Sequence, residues 1–111
     1  MSIEVKGADK LRAQLAAYKA KLVAATKKTV DETLHQIAEE SRSNAPVDTG
    51  ALRESIHVEE ETGLAGKVVA DADYAIDVEL GTSHAPAQPF LGPAYFKALT
   101  EVAADLKANL K

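Results

Sequence analysis

From residue 8 to residue 45 the chain contains neither Gly nor Pro. Ala, Lys, Leu, Glu and Gln dominate the run, and all of them favour helix. Asp9 stands where an N-cap or first-turn acid stabilises a helix start. Leu11, Leu15, Tyr18 and Leu22 form an apolar stripe at helical spacing in the first half. Val23, Val30, Leu34 and Ile37 form one in the second half. At 100° per residue the second stripe is turned by roughly 90° from the first. One straight helix cannot lay both on one flat core. Unbroken, it would be roughly 55 Å long, against a radius of gyration near ~13 Å for a compact chain of this size. The sequence therefore predicts a bend or break between residues 24 and 29, with a protruding helix as the alternative. Ahead of it, residues 2–5 could form a short edge strand ended by Gly7.

Pro46 ends the run and pushes Ala45 towards an extended conformation. Asp48 or Thr49 is placed to cap a short turn or helix through Ala51, Leu52 and Arg53, with Gly50 allowing a tight entry. Ile56 and Val58 then alternate with His57 and Glu59. Residues 63–66 read as a hairpin loop and residues 67–71 as the return strand, with Val68 and Ala70 on one face. Tyr74, Ile76, Val78 and Leu80 alternate with Ala75, Asp77 and Glu79, which predicts a third, half-buried strand closed by Gly81. Pro93 suits the first turn of a last helix. Its predicted stripe is Phe96, Leu99, Ala103, Leu106 and Leu110, with Lys97 and Glu101 paired on the outer face. The expected architecture is α+β: a long N-terminal helix, bent or broken, over 8–45; a small antiparallel meander over 55–80; and a closing amphipathic helix over 93–110. All of it forms a single domain, 1–111. Phe90, one of only two Phe in an aliphatic chain, is the expected anchor of the loop before the last helix.

The chain has no Cys, which excludes disulfides, thiolate metal sites and Cys nucleophiles. No apolar run approaches the ~20 residues of a membrane span, and the N-terminus lacks the apolar stretch of a signal peptide. A soluble protein made in a cytoplasm is the expectation. Charge is divided unevenly. Residues 1–30 carry seven Lys/Arg and two acids, a net +5; residues 31–111 carry six Lys/Arg and fifteen acids, a net −9. Lys19, Lys21, Lys27 and Lys28 are either a solvated helix face or a surface that meets an acidic neighbour, including another copy of the chain.

Asp48-Thr49-Gly50 followed by Ala matches the aspartic-protease tripeptide, whose dimeric forms pair two such Asp. That chemistry needs the Asp on a loop after an apolar strand in an all-β fold, and here a helical run and Pro46 precede it. His35, His57 and His84 are far apart in sequence and show no metal-ligand spacing. Residues 59–61, all Glu, read as a solvated hairpin end. Neither a cofactor nor a catalytic set is expected. Glu79 is either solvated or a polar anchor for the loop at 88–89 or for a neighbouring subunit.

Three blocks recur in a fixed order: A-P-V-D-T-G-A-L-R-E-S-I at 45–56, Y-A-I-D-V-E-L-G-T at 74–82 and A-Q-P-F-L-G-P-A at 87–94. Their order and separation resemble the small head–tail joining, or tail-completion, proteins of long-tailed phages and prophages. Gly92 departs from the family pattern, where Arg is commoner. The resemblance implies an α+β fold and a structural role at the head–tail connection or head-proximal tail end. Copies would stand around the DNA channel, touching terminator, tail-tube, tape-measure or connector proteins, in a virion assembled in a bacterial host. The basic first helix and the acidic remainder can meet between copies around an axis, which predicts a ring in the particle. Exposed charge contacts contribute little each, so monomers are expected in isolation. Neither a membrane nor sequence-specific nucleic acid is an expected partner. The resemblance brings no catalytic residue. Its motif positions, with folding or interface roles, are Pro46, Asp48, Thr49, Gly50, Leu52, Ser55, Tyr74, Glu79, Gly81, Thr82, Pro89, Phe90 and Pro93. The other readings are a regulatory domain that binds a partner or DNA through the basic helix and, more remotely, the dimeric protease.

Overall fold

The computed structural model describes residues 7–46 and 50–110. The proposed edge strand at 2–5 lies outside them. Helix α1 runs Ala8–Asn44 as one continuous element of 37 residues. The expected break between 24 and 29 is absent, and the helix protrudes instead. The molecule measures 84 × 22 × 22 Å, with a radius of gyration of 21.1 Å. The local sequence explains the continuity. Residues 24–29 hold Ala, Lys and Thr, with nothing to open the backbone ladder. The hydroxyls of Thr26 and Thr29 donate to the carbonyls of Leu22 and Ala25, each at 2.8 Å, so neither competes for other backbone groups. The two stripes need not share a core, because only one is buried. Ala25, Thr29, Leu34, Ile37, Ala38 and Ser41 face inward. Leu11, Leu15 and Tyr18 stay more than half exposed.

Helix α2 (Ala51–Ser55) follows Gly50, whose φ of 82° turns the chain into it. Strands β1 (Ile56–Thr62) and β2 (Ala65–Ala70) form an antiparallel hairpin with Ile56 opposite Ala70 and Val58 opposite Val68. A register irregularity between Glu60 and Thr62 precedes the Gly63-Leu64 turn. Gly66 lets the hairpin lie close on α1: a Cβ there would stand 2.5 Å from a methyl of Leu34.

The third strand does not form. Residues Ala75–Leu80 make a short helix, α3, with helical hydrogen bonds from Val78 N–H to the Tyr74 carbonyl and from Gly81 N–H to that of Asp77. Six residues fit both periods, and a helix satisfies its own backbone where a third strand would need a sheet edge. Ala75, Val78 and Glu79 face inward, while Ile76 and Leu80 point out, 71% and 73% exposed. Gly81 closes α3 at φ 79°, with a Cβ excluded by the Ala87 backbone 2.6 Å away.

Helix α4 (Leu91–Leu110) packs antiparallel on the second half of α1. The cross-helix bonds set the direction: Lys97 to Glu40, Gln36 to Glu101 at 2.7 Å, and Asn109 to Thr29 at 2.9 Å. Lys97 and Glu101 thus reach across to α1 rather than pairing with each other on an outer face. The predicted α4 stripe is also displaced. Ala94 and Ala98 are the buried positions, against Ile37, whereas Phe96 is 68% exposed and Leu99 48%. Small side chains let two helices approach closely. Leu106 and Leu110 of the predicted stripe are half-buried, while Tyr95 and Phe96 stay outside and touch edge-on at 5.8 Å.

The main core gathers at the C-terminal end of α1: Ala38, Ala45, Leu52, Ile56, Ala75 and Phe90. Phe90 is its largest buried side chain, 1% exposed, as the sequence predicts.

Candidate functional site

The motif blocks, far apart in sequence, converge on this end of the molecule. Pro46 closes α1, Gly50 opens α2, and Leu52 is buried beneath them. Ser55 ends α2 by donating to the Leu52 carbonyl at 2.7 Å. Tyr74 heads α3, Thr82 follows it, and the Thr82 hydroxyl accepts from the N–H groups of His84 and Ala85 at 3.2 and 3.1 Å. Together Pro46, Gly50, Leu52, Tyr74 and Thr82 line a concavity of about 480 Å³. Asp48 and Thr49 lie outside the described residues. Arg42 adds a joint that no motif marks. Its Nε and Nη2 donate to the Ile56 carbonyl at 3.2 and 2.9 Å, and Arg53 Nε donates to the Arg42 carbonyl at 3.0 Å.

Glu79 is the polar centre. Its carboxylate accepts N–H groups from Phe90 (2.7 Å), Leu91 (3.1 Å) and Gly92 (2.7 Å), the unsatisfied donors at the start of α4. Partial burial pushes its pKa up, but the three backbone donors outweigh this and hold the carboxyl below the usual range. The carboxylate thus anchors residues 90–92, just beyond the 88–89 loop that the sequence suggested. Gly92 belongs to the same arrangement, since a Cβ there would lie 3.0 Å from Glu79 Oε1. Pro89 is exposed in the preceding loop, and Pro93 sits in the first turn of α4.

The three histidines remain apart. His57 Nδ1 lies 2.9 Å from the Ser55 carbonyl and Nε2 lies 3.2 Å from Glu59. The carbonyl first, then Glu59, raise its pKa. His35 instead gathers with Asp31 and Glu60, their ligand atoms within 4.8 Å of one another and all three residues exposed. A hydrogen bond to Asp31 raises the Glu60 pKa. The sequence holds no signal for this cluster, because Glu60 comes from the hairpin and the other two from α1. The protease tripeptide stands between two helices, not in the all-β frame that its chemistry requires.

The basic positions form a separate region. Lys19, Lys21, Lys27 and Lys28 are exposed along α1. Lys27 is partly committed, since its stem lies over Gly63 at the hairpin turn. Beyond it the helix is an arm. Residues 7–28 carry six Lys/Arg and one acid, a net +5.

A family model described as "Bacteriophage HK97-gp10, putative tail-component" matches residues 9–81. The match takes in the arm and the first block and ends at Gly81, so most of the loop and α4 fall outside it. No curated protein and no solved structure matches the chain. With 9–81 spanning most of the chain's length, and α1, the hairpin and α3 inside it, the chain belongs to the HK97-gp10-like family of phage tail components.

Proposed function

We propose that the protein is a non-catalytic structural component of the head–tail connection or the head-proximal end of the tail. Copies form a ring around the DNA channel and contact terminator, tail-tube, tape-measure or connector proteins. The chain is made in the host cytoplasm and carried in the virion. Tail-component family membership supports a virion role. The observation that carries the assembly reading is the arm: a basic helix with an apolar stripe that the described residues leave uncovered. A side chain such as Leu15, 58% exposed, is better explained by a neighbour in an assembly than by solvent. Exposed charge contacts contribute little each, so the isolated protein is expected to be monomeric at low concentration. No helix among the described residues is long and apolar enough to cross a membrane.

Complementation of a deletion mutant of the source phage tests this. The deletion is expected to leave heads and tails unjoined, or tails unfinished, in electron micrographs, and the intact gene to restore particles. Normal infectious particles from the deletion would overturn the reading. The net +5 of the arm also favours a second reading, DNA or partner binding by a regulatory domain. Steeply salt-dependent DNA binding by the purified protein would support that instead.

A further inference from the structure

The stripe on the arm continues the seam that α4 covers further along α1. Leu11, Leu15, Tyr18, Leu22, Ala25 and Thr29 follow one another at spacings of four and three, the rhythm of a helix-packing seam. At its inner end Ala25 and Thr29 are buried, and Asn109 of α4 bonds to Thr29. Helix α4 stops at Leu110. Past it, Leu22, Tyr18, Leu15 and Leu11 are 37–58% exposed.

An exposed surface of matching character lies at the other end of the molecule. Ile76 and Leu80 project from one face of α3, beside Tyr74, and are the most exposed of the large apolar side chains described. Asp73 and Asp77 are exposed among them. From residue 68 to residue 96 the chain carries four acids and no Lys or Arg. The arm is basic and apolar; the α3 face is acidic and apolar.

We propose that the arm of one copy seats on the α3 face of a second copy of this chain. The inference rests on the assembly proposed above and names its contact. The arm cannot reach its own α3. Ala75 of α3 packs with Ala38 and Ala45, some 25 residues along the helix from Leu15, a distance of roughly 35 Å or more. Two arms side by side would bring like charges together, whereas arm on α3 brings Lys19 and Lys21 towards Asp73 and Asp77. The contact is head-to-tail. Repetition gives a ring where the rotation closes and a filament where it does not.

The absence of native Cys makes disulfide trapping a clean test. Purified Leu15→Cys and Ile76→Cys chains, mixed at millimolar concentration and oxidised, are expected to form the mixed dimer several-fold faster than Leu15→Cys with Leu64→Cys. Lys19→Glu with Lys21→Glu on the arm should slow the trapping, and Asp73→Lys with Asp77→Lys on the other chain should restore it. Equal rates for the two pairs overturn the proposal. So does faster trapping of Leu15→Cys with itself or with Phe96→Cys, which would place the arm against another arm or against the outer face of α4. The readout needs no phage. Infectious particles from the deletion would sink the proposed role and leave this contact standing, and untrapped chains would do the reverse.

Discussion

The two halves of α1 differ in composition and in fate: the first is rich in Ala and basic, the second carries more Thr, Ser and acids. The C-terminal half buries Leu34, Ile37, Ala38 and Ser41 under α4 and the hairpin. The N-terminal half buries no large apolar side chain at all. Both are amphipathic, and the half with the weaker helix formers is the one that is buried. Among the described residues, α4 covers α1 as far as the level of Thr29. Amphipathicity thus marks a helix face suited to packing, and not whether its own chain covers it.

This contrast predicts how substitutions rank. The largest effect belongs to the buried end. Phe90→Ala should cost about 3–5 kcal/mol in chemical denaturation, the range for deleting a fully buried aromatic side chain. A loss below ~1 kcal/mol would mean that this end is no better packed than the arm.

Glu79→Gln comes next. It keeps the shape and removes the charge that gathers three N–H groups. We predict a loss of about 1–2 kcal/mol at neutral pH, reduced from the buried value because the group is partly exposed. The pH dependence has a definite sign. The folded-state pKa is depressed, so the stabilisation is present above the unfolded carboxyl pKa and is lost as pH falls through the folded one. A thermal-melt series in acid should show the wild-type losing its advantage over Glu79→Gln, and a constant gap across that range would refute the assignment.

Ser41 refines the picture of the buried half. It is fully buried on α1, and its hydroxyl has no hydrogen-bond partner among the described residues. Ser41→Ala should raise stability by about 0.5–1 kcal/mol, since it removes an unsatisfied polar atom. A destabilised variant would point to a partner for that oxygen. The smallest effect belongs to the arm. Leu15→Ala should change the stability of the isolated protein by less than about 0.5 kcal/mol, while weakening assembly. A large stability loss would show that the arm is already covered in the single chain.

Much of the candidate site was legible before the fold. Gly50 and Gly81 stand at left-handed positions where the turns need them, and Phe90 is the core anchor. The Glu79 cap was one of two open readings, because a carboxylate in sequence does not reveal which backbone donors lie across a loop. The α3 segment misled for a related reason. Over six residues, alternation and helical spacing select overlapping apolar positions, and the segment forms a helix, which satisfies its own backbone, while the sheet stays two-stranded. On α4 the large side chains drew the predicted stripe, whereas Ala94 and Ala98 made the contact, since close helix packing selects small volume rather than hydrophobic size.

The residues themselves settled that the long Gly- and Pro-free run is helix, that Pro46 stops it, that a hairpin turns at Gly63, and that charge is split between the arm and the rest. Those are local matters of backbone conformation and composition. Which face of each helix is covered, where α1 leaves its own core, and that Glu79 meets the start of α4 are settled only by tertiary structure. Each depends on where distant segments pack, and no local propensity carries that information.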